Sequence, residues 1–95
     1  MVMTILEARV AQENWPALRQ AYREASTERD AGLAQSFLVQ SVKDRESWQI
    51  LTVWESREAL DAMRRTEATP KGVLIFRSAQ AEPGLAVYEI AEEIK

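Results

Sequence analysis

The 95-residue sequence contains no cysteine and no histidine. Without cysteine, neither disulfide bonds nor thiolate chemistry is available to the chain. Without histidine, the chain lacks the usual general base near neutral pH, the commonest metal ligand and the usual proximal haem ligand. We therefore expect no metal site and no cofactor.

Basic charge and long apolar runs are also scarce. The chain has 12 Lys and Arg residues against 15 Asp and Glu residues, which gives a net charge of −3. This balance argues against nucleic acid or an acidic membrane surface as a partner, because both attract a basic surface. No apolar run reaches the roughly 20 residues of a membrane-spanning helix, and the first residues lack the basic start of a signal peptide. We expect a cytoplasmic protein.

The rest of the composition is typical of a globular protein. The chain is 46% hydrophobic and 28% charged, with only 3 Gly and 3 Pro, and its length predicts a single domain over residues 1–95. A chain of this length buries only about 60–65% of its unfolded surface. Its core is therefore modest, and association is one way to extend it.

Residue patterns predict six elements and a ferredoxin-like fold. In chain order, the elements are a strand over residues 2–10, a helix between Asn14 and Gly32, strands over residues 33–43 and 48–54, a helix from Ser56 to about Glu67, and a strand over residues 85–90. The order β-α-β-β-α-β predicts an α+β fold with a four-stranded antiparallel sheet and two helices on one face. The apolar run 73–76 is too short to assign to a helical turn or a strand.

Both faces of the predicted sheet carry apolar side chains. Leu51 and Val53 point to one face, and Ile50 and Trp54 point to the other. Two helices cover only one face, so the other face needs a second cover. A second copy of the chain related by a two-fold axis supplies such a cover. We predict a homodimer in which two sheets face each other.

The junction between the third strand and the second helix resembles a known family. Two stretches carry the resemblance: Ile50-Leu-Thr-Val-Trp-Glu-Ser-Arg-Glu-Ala-Leu and the closing strand Val87-Tyr88-Glu89. They are similar to the antibiotic biosynthesis monooxygenase (ABM) superfamily, and by element order the resemblance covers nearly the whole chain. It implies a dimeric α+β barrel and a cofactor-independent monooxygenase that acts on a small aromatic or quinol-like compound.

The resemblance also implies where functional residues would lie. In the cofactor-free branch of the superfamily, a Trp ends the third strand and an Asn lies four residues before it; these positions fall on Trp54 and Ile50. In the haem-degrading branch, an Asn on the first strand and a Trp on the second helix fall on Ala8 and Met63, and the His of that branch has no counterpart. The resemblance thus implies a pocket wall at Trp54, argues against haem degradation and assigns no catalytic residue.

Six residues are candidates for binding a small apolar or aromatic ligand: Trp54, Ile50, Tyr22, Met63, Tyr88 and Arg77. An aromatic wall would come from the Trp, and polar contacts would come from a Tyr phenol or the Arg guanidinium. Each also has a structural interpretation, as a buried core residue or as a surface charge. No phosphate loop, nucleophile–base pair or metal cluster is recognisable.

These observations leave two functions open. One is the monooxygenase that the resemblance implies. The alternative is a non-catalytic ligand-binding or structural homodimer on the same scaffold, because Ile50 and Met63 are apolar where relatives place their chemistry. A fold does not by itself decide between them.

Overall fold

A computed structural model describes residues 1–95. Its four strands are β1 (Val2–Arg9), β2 (Leu33–Gln40), β3 (Ser47–Trp54) and β4 (Gly84–Glu89). They form one sheet in the order β2-β3-β1-β4, and every neighbouring pair is antiparallel. This architecture confirms the predicted α+β ferredoxin-like fold.

Three α-helices pack on one face of the sheet. They are α1 (Trp15–Ala25), which follows a 3-10 turn at Gln12–Asn14, α2 (Arg57–Thr66) and α3 (Lys71–Ser78). The run 73–76, which the sequence left open, therefore lies within α3 and adds a third helix to the two predicted. Pro70 precedes the first turn of α3, where its missing N–H costs no helical hydrogen bond. None of the helices combines the length and the apolar character that crossing a membrane requires.

The β3–α2 junction forms as the sequence predicts. The Ser56 hydroxyl accepts a hydrogen bond from the backbone N–H of Ala59 at 3.1 Å and so caps α2. Gly32 lies against this helix with φ of +79°, and a Cβ added there would lie 2.4 Å from the Ala59 Cβ. Since α1 already ends at Ala25, Gly32 does not terminate that helix. It permits α2 to pack against the start of β2.

The core lies between the sheet and the helices. Leu6 pairs with Ile50 and Val2 pairs with Trp54 in the register of β1 and β3, and all four side chains are buried under the helices. The largest fully buried side chains come from the three helices and from the residue that follows β1: Phe76, Leu18, Leu60 and Val10. Each such burial stabilises the fold by about 1.5–3 kcal/mol. We call this side of the sheet the helix face.

The opposite side of the sheet, which we call the open face, has no helix over it. Apolar residues from all four strands form it: Met3, Ile5, Phe37, Val39, Leu51, Val53, Ala86 and Tyr88. Phe37 is 43% exposed and Tyr88 is 55% exposed. The sheet is therefore apolar on both faces, as predicted, and the helices cover one of them.

Candidate functional site

A cavity of about 270 Å3 lies between the helix face and the three helices. Its floor comes from β1, β2 and β3, and its walls come from all three helices. Its apolar lining includes Leu6, Leu33, Ile50, Trp54, Met63 and Ile75. Small-molecule sites typically enclose roughly 300–1,000 Å3, so this cavity suits a ligand at the small end of that range.

A row of three hydroxyl groups crosses the floor of the cavity. Thr4 of β1 pairs with Thr52 of β3, and Thr52 pairs with Ser36 of β2. Paired residues of adjacent strands point to the same face, so the three side chains stand side by side, and all three line the cavity. We call them the hydroxyl row. It places a polar stripe across an otherwise largely apolar floor.

Two aromatic residues are anchored to the two ends of the hydroxyl row. The Tyr22 phenol on α1 donates a hydrogen bond to the Ser36 Oγ at 2.9 Å. The Trp54 indole Nε1–H donates to the Thr4 Oγ1 at 3.3 Å. Both rings are thereby fixed in orientation at the cavity. The Thr52 hydroxyl, between these two ends, is the member of the row that neither aromatic residue engages.

A cluster of three charged residues lies in the cavity lining where several connections meet. Asp30 comes from the α1–β2 connection, Glu67 follows α2, and Lys71 begins α3. The Lys71 Nζ lies 3.0 Å from the Asp30 Oδ1 and 3.6 Å from the Glu67 Oε1. It also donates to the backbone carbonyl of Glu28 at 3.3 Å. We call these three residues the charged cluster.

The charged cluster changes the acid–base properties of its members. Burial, followed by the nearby Asp30 carboxyl, raises the pKa of Glu67 above its ordinary value, and Lys71 opposes this only in part. The hydrogen bond to Asp30 raises the pKa of Lys71. The Glu67 Oε2 is buried and has no hydrogen-bond partner. The cavity therefore contains a carboxyl group whose neutral form is favoured more than that of an ordinary glutamate.

Four of the six residues predicted for ligand binding line the cavity: Trp54, Ile50, Tyr22 and Met63. Trp54 is also part of the core, with only 3% of its surface exposed. The wall and core interpretations of this side chain therefore coincide, because one side of the indole packs in the protein and another borders the cavity.

The other two predicted residues do not reach the cavity. Tyr88 points to the open face, because it pairs with Met3 in a register that sets it opposite the helices. Arg77 lies at the exposed end of α3, where its Nε and Nη2 donate to the Glu82 carboxylate at 3.0 and 2.9 Å. This ion pair lowers the pKa of Glu82 through the hydrogen bonds from Arg77. The Arg77 guanidinium is therefore already hydrogen-bonded to both oxygens of a carboxylate in the same chain.

The hydroxyl row was not among the predicted site residues, although the sequence carries a signal for it. Thr52 stands between Ile50 and Trp54 at alternating positions, so the three must share one sheet face. A polar residue on a buried face is informative, because it needs a partner. The charged cluster has no comparable signal, since Asp30 and Glu67 meet only through the tertiary fold.

Sheet topology and helix packing together define an α+β protein of the ferredoxin-like class with a cavity beneath its helices. Residues 1–72 match the sequence profile of the family described as antibiotic biosynthesis monooxygenase. The match spans well over half of the chain, and the chain therefore belongs to this family. Among curated proteins, none matches it in sequence.

Solved structures share the fold at low sequence identity. A Deinococcus radiodurans protein, named as a candidate antibiotic biosynthesis monooxygenase, superposes with a TM-score of 0.75 at 17% identity, over 100% of this chain and 97% of its own. SnoaB, a cofactor-independent oxygenase from Streptomyces nogalater, superposes with a TM-score of 0.73 at 13% identity, over 98% and 95%. MhuD, a haem degrader from Mycobacterium tuberculosis with two haems bound in its active site, superposes with a TM-score of 0.70 at 23% identity, over 100% of both chains.

The residues of the cavity do not fit a haem group. The chain has neither His nor Cys to serve as an axial ligand. The Tyr22 phenol is bonded to Ser36, and a cavity of about 270 Å3 is smaller than a haem. Because the donors and the space both disagree with haem, we derive no chemistry through it.

Proposed function

We propose that the cavity binds a small phenolic or quinol-like aromatic compound and that the protein is a cofactor-independent monooxygenase. The observation that carries the proposal is the pairing of an aromatic wall, Trp54, with the hydroxyl row along one cavity floor. A flat ring fits against the indole, and a ring hydroxyl can bond the free Thr52 Oγ1. Membership of the family and the likeness to SnoaB in fold support the assignment.

In this reaction the substrate itself supplies the electrons. A phenol with a free para carbon loses its proton, reacts with O2, and leaves as the quinone, with one oxygen atom in the new carbonyl and the other in water. The protein contributes the dry pocket, the orientation of the ring and one or two hydrogen bonds. No histidine is needed for these contributions, provided that another group takes the proton.

Oxygen uptake tests the proposal. The protein is incubated with a panel of hydroxynaphthols, including α-naphthol, in a closed oxygen-electrode chamber, with anaerobic samples as the control. We expect uptake matched by quinone formation, and we expect it to fall in Thr52→Val, in which a methyl group replaces the hydroxyl at nearly constant volume. Uptake no higher than in buffer, across the whole panel, would contradict the enzymatic assignment.

A second candidate function is a non-catalytic binder on the same scaffold. The observation that favours it is Ile50, which lines the cavity with an apolar side chain where the resemblance places an Asn. Ligand binding without oxygen uptake would support this function. The two candidates share the cavity and differ only in the chemistry that follows binding.

We also propose that the protein is a homodimer through the open face. Supporting this is the exposed apolar surface formed by Phe37 and Tyr88 next to the half-buried Ile5 and Leu51. A contiguous apolar face of this kind is typical of an interface, and a two-fold axis lets one face cover its own copy. Sedimentation of the wild-type protein tests it, and a monomer at all concentrations would contradict it.

A further inference from the structure

Gly72 lies in the first turn of α3, against the side chain of Leu6 on β1. A Cβ added at position 72 would lie 2.4 Å from the Leu6 Cδ1 and 3.8 Å from the Ile50 Cδ1. Carbon atoms in contact are usually about 3.5–4.0 Å apart. A side chain at position 72 is therefore compatible with the sheet only if the end of Leu6 moves.

The backbone conformation does not explain the glycine at this position. Gly32 is the glycine of this chain with positive φ, and Gly72 has a conformation that other residues adopt. Within a helix, glycine is a poorer residue than alanine, because it loses more conformational freedom on folding. What the glycine at position 72 provides is therefore space next to Leu6.

That space is continuous with the cavity. Gly72, Leu6 and Ile50 all line it. Leu6 is 8% exposed and belongs to the same core cluster as Ile75 and Phe76. A closely packed core offers no room to a displaced methyl group, so the open space that a displaced Leu6 side chain can enter is the cavity. A side chain at position 72 would thus take up cavity volume.

We propose that Gly72, through its contact with Leu6, sets the size limit of the cavity ligand and is a specificity-determining residue. The missing side chain at position 72 keeps the Leu6 methyl group out of the cavity and leaves room for two fused rings. Filling this position leaves room for a single ring. The inference rests on the proposed function, because it needs an aromatic ligand in the cavity.

Gly72→Ala tests the inference with two ligands of different size. Calorimetric titration gives the affinities of the wild type and the variant for phenol and for α-naphthol. One methylene group in an apolar pocket changes affinity by roughly 10–200-fold, so we expect α-naphthol to bind the variant at least about tenfold more weakly. Phenol should bind both proteins with similar affinity. Damage to the helix or the core would weaken the two ligands alike, so the ratio of their affinities reports cavity size.

The matched control is Gly84→Ala. Gly84 is exposed at the start of β4, and a Cβ added there has no other atom within 4 Å. We expect this variant to bind both ligands as the wild type does. An unchanged ratio of the two affinities in Gly72→Ala would overturn the inference while leaving the ligand site intact. Failure of the wild type to bind either ligand would instead overturn the proposed ligand class, and the inference with it.

Leu6→Val tests the contact from its other side and covers the case in which Gly72→Ala does not fold. Valine lacks the δ methyl groups, and the Leu6 Cγ lies at an ordinary contact distance of 3.8 Å from the added Cβ. Combined with Gly72→Ala, this substitution should restore α-naphthol binding toward the wild-type affinity. Alone, it widens the same end of the cavity without changing α3, so the affinity for a three-ring anthrol should rise relative to that for α-naphthol.

Two results with Leu6→Val would contradict a size limit set by this contact. One is a double variant that binds α-naphthol no better than Gly72→Ala does. The other is a preference between the anthrol and α-naphthol that Leu6→Val leaves as it is in the wild type.

Discussion

Both faces of the sheet carry apolar side chains, but they differ in what surrounds them. On the helix face, Leu6, Ile50 and Trp54 are buried under three helices, and the hydroxyl row lies among them beside a cavity. On the open face, Phe37 and Tyr88 remain exposed and no helix lies over them. Alternation along a strand produces both faces, since every second side chain points the same way. The helix face has a covering layer of helices and a cavity, whereas the open face has neither, and this difference separates the proposed ligand face from the proposed subunit face.

The two phenylalanines offer the largest test of this difference. Phe76 on α3 is fully buried, whereas Phe37 on the open face is 43% exposed. We expect Phe76→Ala to lower the free energy of unfolding by about 3–5 kcal/mol, because it leaves a cavity in the core. Phe37→Ala should cost about 1 kcal/mol or less in dilute protein. Chemical denaturation of both variants measures the difference, and equal losses would contradict the account of the two faces.

Phe37→Ala carries a second expectation that separates the faces further. If the open face is the subunit interface, the unfolding midpoint of the wild type rises with protein concentration, because association stabilises the folded state. The concentration dependence should weaken in Phe37→Ala. Denaturation curves at several protein concentrations provide this measurement. An identical concentration dependence in the two proteins would contradict a subunit interface on the open face.

Thr52→Val tests the hydroxyl row with a smaller expected effect. Loss of one hydrogen bond to a neutral ligand weakens binding by about 1 kcal/mol, or roughly fivefold. Calorimetric titration with α-naphthol gives the affinity. The matched control is Thr66→Val, because Thr66 bonds only backbone carbonyls of α2 on the exposed side of that helix. Equal affinity of Thr52→Val and the wild type would show that Thr52 does not contact the ligand.

The pH dependence of stability is the smallest expected effect. The pKa of Glu67 is raised in the folded protein by burial and by Asp30, so between its ordinary and its raised value the folded state holds more protons than the unfolded state. Stability therefore falls as the pH rises through this window. Glu67→Gln removes the titrating group, so its free energy of unfolding should decrease less than that of the wild type as the pH rises. Denaturation of both proteins at mildly acidic and neutral pH checks it, and parallel curves would contradict the raised pKa.

The sequence was most informative where local signals agree. In residues 47–63 the β-branched and aromatic block, the Ser56 cap and the helical spacing all indicate one answer, and β3 and α2 form there. The sequence did not predict α3, because residues 73–76 are too few to show the periodicity of a helix or a strand. Only their burial against the core, with Ile75 and Phe76 under the sheet's helix face, decides the conformation.

In the candidate site, too, some residues could be placed from a local sequence pattern and others could not. Trp54 and Ile50 were predictable because strand alternation fixes their face. The same rule applies to Thr52, but that residue was not among the predictions. Tyr88 lies outside the cavity because its strand is at the sheet edge and its register directs the side chain to the open face. The charged cluster joins residues that are 37 positions apart, Asp30 and Glu67, and no local pattern brings them together.

One sedimentation velocity measurement tests the central claim that the two faces have separate functions. At mildly alkaline pH para-nitrophenol is ionised and absorbs visible light, so its co-sedimentation with the protein reports binding while the boundary reports the oligomeric state. We expect Trp54→Ala to sediment as a dimer without bound probe, and Phe37→Asp to sediment as a monomer that still carries the probe. Probe binding by Trp54→Ala, or a dimer formed by Phe37→Asp, would contradict the claim that the two faces have separate functions.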